Sequence, residues 1–70
     1  MSGTPVGNHI RRLRFETGEM TQSDLAERCG ITRQTVIALE AGKYAPSLEL
    51  AFRIANAFGR PIGEVFHWES

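Results

Sequence analysis

A single cysteine among seventy residues leaves no partner for an internal disulfide. No group of Cys and His has zinc-site spacing, and no apolar run is long enough to span a bilayer or serve as a secretory signal. A cytoplasmic chain is therefore expected, with no metal, cofactor, small-molecule ligand or membrane partner. Paired carboxylates, a nucleophile beside a base and a glycine-rich phosphate loop are also missing, so the chain is not expected to be an enzyme. Charge of one sign is missing too. Eight basic residues balance eight acidic ones, which argues against nucleic-acid binding by bulk electrostatics and leaves the distribution of charge to decide. The length allows one small domain whose core is marginal by itself, and oligomerisation is the natural source of further buried surface.

What is present centres on residues 21–42, TQSDLAERCGITRQTVIALEAG, which reads as two short helices joined by a glycine turn. Thr21 can cap the first helix and Asp24 favours its positive end. Leu25, Ala26 and Cys29 share one face, and Gly30 follows where a left-handed residue commonly ends a helix. Thr32 caps the second helix, Val36 and Leu39 share its inner face, and Gly42 supplies a second stop. A small Ala26 at the crossing, the turn at Gly30 and the lock of Val36 and Leu39 form the helix-turn-helix pattern, whose second helix is offered to the major groove.

Upstream, Val6, Ile10 and Leu13 recur at helical spacing, which predicts a first helix from Val6 to Thr17, with Gly18 and Glu19 turning into Met20. Arg14 and Glu40 hold equivalent inward edges of their helices, which suggests a partly buried ion pair; two solvated charges that never meet are the alternative. Downstream, Pro46 stops a loop and Ser47 caps a helix from Leu48 to Phe58 that is apolar on nearly every side and expected to be buried on most of them. Gly59 ends it, Pro61 opens a last short helix to about Val65, and Phe66 and Trp68 then alternate with polar residues in the strand period. These aromatics either fold back over the core or form a symmetric dimer contact through a short terminal strand. Cys29 reads as a small core residue, with a redox sensor as the other reading. His9 and His67 are expected to be exposed or interfacial.

The segments TQSDLA, TRQTV, LEAGKYAPSLELAFRIA and EVF, within a stretch from Arg11 to Phe66, resemble the Cro/cI-type (XRE-like) helix-turn-helix family, most closely its short single-domain transcriptional regulators. The resemblance implies an all-α, five-helix domain over residues 1–70, with room for a short terminal β-strand. It also implies a homodimer on a palindromic operator in double-stranded DNA, and no catalysis. Carried over by motif, Gln22 resembles the family's phosphate-contacting glutamine. Thr32, Arg33 and Gln34 match the start of its recognition helix, Lys43 and Tyr44 match the loop that meets the DNA backbone, and Arg14 with Glu40 matches its structural ion pair. The sequence departs from the pattern at Glu19, which lengthens the first turn, and at Ala38 and Ala41, where many relatives carry polar groups.

With Val36, Leu39 and Glu40 turned inward, Gln34, Ile37, Ala38 and Ala41 face outward. Ile37 and the alanines suit thymine methyl groups, Gln34 an adenine edge, and Arg33 either guanine or a phosphate. A homodimeric repressor is expected, since no activation or ligand domain accompanies the unit. Its dimerisation element lies at about residues 60–70 and includes Val65, Phe66 and Trp68. The alternative is a protein-interaction module, an antitoxin or adaptor, that binds a partner through the hydrophobic C-terminus.

Overall fold

The computed structural model describes residues 3–69. In chain order it has β1 (Val6–Asn8), α1 (Ile10–Glu16), α2 (Gln22–Cys29), α3 (Arg33–Glu40), α4 (Leu48–Phe58), α5 (Ile62–Val65) and β2 (Phe66–Trp68). The five helices are the all-α domain that the residue pattern predicts. The terminal strand is present as well, with β1 of the same chain as its antiparallel partner: Val6 lies opposite Trp68, Gly7 opposite His67, and Asn8 opposite Phe66.

Local chemistry explains most of the boundaries. Thr21 accepts from Asp24 N at 2.9 Å while Asp24 Oδ2 accepts from Thr21 N at 3.1 Å, a reciprocal capping box. Thr32 caps α3 through Thr35 N, and Ser47 caps α4 through Leu50 N. At the α2–α3 turn Gly30 takes φ 71°, a backbone conformation that side-chain-bearing residues resist, and Ile31 N closes the turn on Ala26 O at 3.0 Å. Arg53 of α4 reaches across to Cys29 O at the same end of α2.

Two expectations need correcting. The first helix does not begin at Val6. Asn8 Oδ1 accepts from Ile10 N at 3.1 Å and starts the helix there, while residues 6–8 pair with the C-terminal strand instead. Gly7 fits that pairing because the His67 imidazole lies across it: a Cβ on Gly7 would stand 2.4 Å from His67 Nε2. The second correction concerns α4, which buries one face, Ala51, Ile54, Ala55 and Phe58. Leu48 (70% exposed) and Phe52 (49%) stand one turn apart on its open side, which no other element among the described residues covers.

The core gathers Ile10, Leu13, Met20, Leu25, Ala26, Cys29, Val36, Leu39, Ile54, Ala55, Phe58 and Val65, so every helix contributes to one cluster. Cys29 belongs to it as a small apolar residue. Burial pushes its thiol above the ordinary range, the nearby Arg53 opposing only in part, and the group stays protonated at neutral pH. Among the described residues no helix is long and apolar enough to cross a membrane.

The capping box gives α2 an acid-sensitive start. The Thr21 backbone N–H, then the Thr21 hydroxyl, hold the Asp24 carboxyl below its ordinary value of 3.8. Because the folded value is depressed, the stabilisation is complete above that ordinary value and is lost as pH falls through the folded one. Thr21→Ala should lower stability by about 1 kcal/mol, a melting shift of roughly 4–8 °C for a domain this size. Asp24→Asn should flatten the dependence of melting temperature on pH between about 5 and about 2, read by circular dichroism.

Candidate nucleic-acid interface

The second helix of the α2–α3 unit is eight residues long, and its inner face is occupied by the buried Val36 and Leu39. Arg33 and Gln34 in its first turn are exposed, as is Ala41 just beyond its end, whereas Ile37 and Ala38 are half-buried. The outward face is thus narrower in aliphatic surface than the wheel suggests, and its polar end lies at the N-terminus. Thr32 is committed as the cap, and its hydroxyl also lies 3.0 Å from that of Thr35. Lys43 and Tyr44 are exposed in the loop after α3, whose course is set where Lys43 N donates to Ala38 O at 3.1 Å.

Glu40 ties three elements together. Arg14 of α1 donates to it from Nε at 2.6 Å and Nη2 at 3.1 Å, and Gln22 at the start of α2 donates from Nε2 at 3.3 Å. Arg14 spends Nη1 on Met20 O at 2.9 Å and is only 8% exposed. The sequence pairing of Arg14 with Glu40 is therefore present as a bidentate bridge. The link to Gln22 extends it to the first residue of α2.

Beside this bridge lies a cleft of about 690 Å³, lined among others by Arg11, Phe15, Gln22, Ser23 and Arg33. The N–H groups of Gln22 and Ser23, as first-turn residues, have no intrahelical acceptor. The cleft thus collects donors and the unpaired guanidinium groups of Arg11 and Arg33 from three elements, with the Glu19 carboxylate and the bridged Glu40 in the same lining; its donor edge suits an anionic oxygen such as a phosphate. Arg11 is a wall residue that the motif reading missed. Its spacing, three before the inward Arg14 on the same helix, was the available signal.

Charge placement resolves the neutrality of the composition. Glu16 engages Arg12 and Arg60, Glu64 engages Arg60, Glu49 engages Arg53, and Glu40 engages Arg14. Among the described residues Arg11, Arg28, Arg33 and Lys43 have no carboxylate within ion-pair distance; Arg11 and Arg33 line the cleft, and Lys43 is exposed in the loop after α3. Surface pairs add little stability, but they cancel cations elsewhere, and the cations left over include the two in the cleft, whose lining also holds the Glu19 carboxylate.

The C-terminal residues separate in the structure. Val65 is wholly buried in the core, so its side chain is not available to a partner; its position closes the last helix onto the cluster. Phe66 is half-buried against that cluster, and Trp68 is 70% exposed. His9 and His67 are half-buried and stack on each other, ring centroids 4.7 Å apart.

A family model described as helix-turn-helix matches residues 10–65. The chain is 65% identical over 58 residues to an uncharacterized HTH-type transcriptional regulator of Methanothermobacter thermautotrophicus, covering 81% of this chain and 83% of the relative. It is 36% identical over 56 residues to the cryptic phage CTXphi transcriptional repressor RstR of Vibrio cholerae, covering 80% of this chain and half of that protein. In fold it matches the crystal structure of a provisionally named DNA-binding protein from Bacteroides fragilis with a TM-score of 0.79, at 22% identity, over 89% of this chain and 98% of the other.

If Glu40 is the group that keeps Arg14 inside the domain, its neutral isostere should fail to do so. Glu40→Gln should cost about 3 kcal/mol or more, and lower the melting temperature by roughly 10 °C or more. An unchanged melting curve would show that the bridge stabilises nothing.

Proposed function

Because the chain belongs to the helix-turn-helix family of DNA-binding transcriptional regulators, we propose that it is a homodimeric repressor that reads a palindromic operator through α3. The observation that carries this reading is the coincidence of an exposed, polar start of α3 with the unpaired Arg11, Arg33 and Lys43. Gln34 is the candidate reader of an adenine edge and Arg33 of guanine or a phosphate, with the exposed edge of Ile37 against thymine methyl groups. Gln22, the first-turn N–H groups of α2, Lys43 and Tyr44 would grip the backbone and set the register. Thr32 serves this surface as the cap that opens α3.

Support for a second copy comes from apolar side chains away from α3. Leu48, Phe52 and Trp68 are large, exposed and without a role in the monomer core, and covering them would add the buried surface that a chain this small lacks. Phe66 would contribute its accessible edge. A two-fold dimer would place its two α3 helices about 34 Å apart, one turn of DNA. The repressor assignment agrees with the name of the Vibrio cholerae relative.

Selection of bound sequences from random duplex DNA, with Arg33→Ala and Gln34→Ala run at the same salt, tests the readout. A palindromic motif is expected, losing preference at particular bases in each variant by roughly 1–3 kcal/mol per contact. Affinity should fall steeply with salt. Weak binding without a motif would overturn the operator reading and leave a protein partner for the apolar residues as the better one.

The dimer has its own test. Sedimentation should give twice the chain mass for the wild type and a shift to monomer for Phe52→Glu or Trp68→Ala. A wild type that stays monomeric with operator bound would remove the homodimer.

A further inference from the structure

Three elements meet on the side chain of Asn8. Its Oδ1 accepts from Ile10 N at 3.1 Å, which opens α1, and its Nδ2 donates to Leu39 O at 2.8 Å, near the end of α3. Its backbone lies in β1 opposite Phe66, and the next residue, His9, donates its N–H to Val65 O at 2.8 Å, where α5 gives way to β2. An amide that uses its oxygen on one helix and its nitrogen on another has a single workable orientation, because a flip would set oxygen against the Leu39 carbonyl.

The strand that carries Asn8 is itself held in place. The His67 ring occupies the space where a Cβ on Gly7 would stand, stacks on His9 and bonds Glu69 Oε2 at 2.5 Å. Glu69 N in turn donates to Pro5 O at 2.5 Å. A second tie, Thr4 N to Gly42 O at 3.3 Å, joins the same N-terminal segment to the backbone just past α3. Where Arg14 fixes the Glu40 side chain, Asn8 fixes the main chain one residue earlier.

We propose that Asn8 is a positioning residue for the reading helix, through which the placement of the terminal sheet sets the seat of α3. The proposal rests on the reading that α3 enters DNA, and extends it. The polar readers Arg33 and Gln34 stand at the far end of an eight-residue rod, roughly 8–9 Å from Leu39 at 1.5 Å per residue, so a tilt about that anchor displaces them against the bases. The C-terminal strand, whose Trp68 is exposed at the other end of this strap, is thereby coupled to base readout without touching DNA.

Asn8→Ser separates the two bonds. Serine can accept from Ile10 N in the same two-residue turn, though more weakly than asparagine, but is too short to reach Leu39 O and has no amide. Backbone hydrogen exchange at Ala41, Gly42 and Lys43 should quicken about five-fold, the net loss of one hydrogen bond, while exchange in α1 changes by less. Affinity for the selected operator should fall by a similar factor and affinity for random duplex by less than about two-fold, since phosphate contacts are retained. Gly7→Ala applies the disturbance from the sheet side with Asn8 intact and should produce the same exchange change at the end of α3. Exchange at residues 41–43 that ignores Asn8→Ser overturns the tether. Exchange that responds to Asn8→Ser but not to Gly7→Ala overturns the transmission from the sheet. A variant with loosened residues 41–43 and unchanged discrimination between operator and random duplex overturns the positioning role. If exchange responds as expected and the wild type binds no duplex selectively, the tether stands and the DNA reading is what fails.

Discussion

A guanidinium group sunk into a domain of this size is costly unless its charge is paired and its N–H groups find acceptors, and Arg14 has both. Glu40 takes two of its bonds and the Met20 carbonyl a third. The arrangement joins α1 to α3 and to the segment before α2, and through Gln22 it reaches α2 itself. An apolar contact in the same place would supply adhesion without direction. A bidentate bridge also fixes the angle of approach, because guanidinium and carboxylate meet well in few geometries. The bridge fixes the side-chain end of α3 against α1 and brings Gln22 to the same carboxylate, beside the cleft that Arg11 lines.

The chemistry that punctuates helices was legible in the residues. Thr21, Thr32 and Ser47 each cap the helix expected of them, and Gly30 turns where the pattern requires. The pairing of Arg14 with Glu40 was legible because each side chain sits at the inward edge of an amphipathic helix. What could not be read was the pairing of strands between the two ends of the chain. Val6, Ile10 and Leu13 satisfy the helical period, and only the arrival of Phe66–Trp68 from the opposite end of the chain decides for a strand at Val6–Asn8.

The remaining differences share a cause. Helix α4 looks buried on most sides because periodicity counts apolar residues without knowing how many layers exist to cover them, and Leu48 and Phe52 are left over. Val65 and Trp68 look equivalent in the sequence, yet the helix end places one in the core and the strand turns the other outward. At the candidate interface the motif residues were legible one at a time. Arg11 and Asn8 were not, since their roles depend on what α2 and α3 bring near them.

The pairing of half of the cations with carboxylates has a consequence for search. A protein whose charges cancel overall, with a sequence pI near 6.7, exerts little pull on a polyanion beyond the Debye length, about 8 Å in physiological salt. Its basic side acts only at contact. Such a molecule gives up long-range steering and arrives more slowly than a strongly basic protein would. In return it is poorly retained by the vast excess of non-target genome, so more of a small cellular pool stays free to sample specific sites. Low abundance is then compatible with effective occupancy.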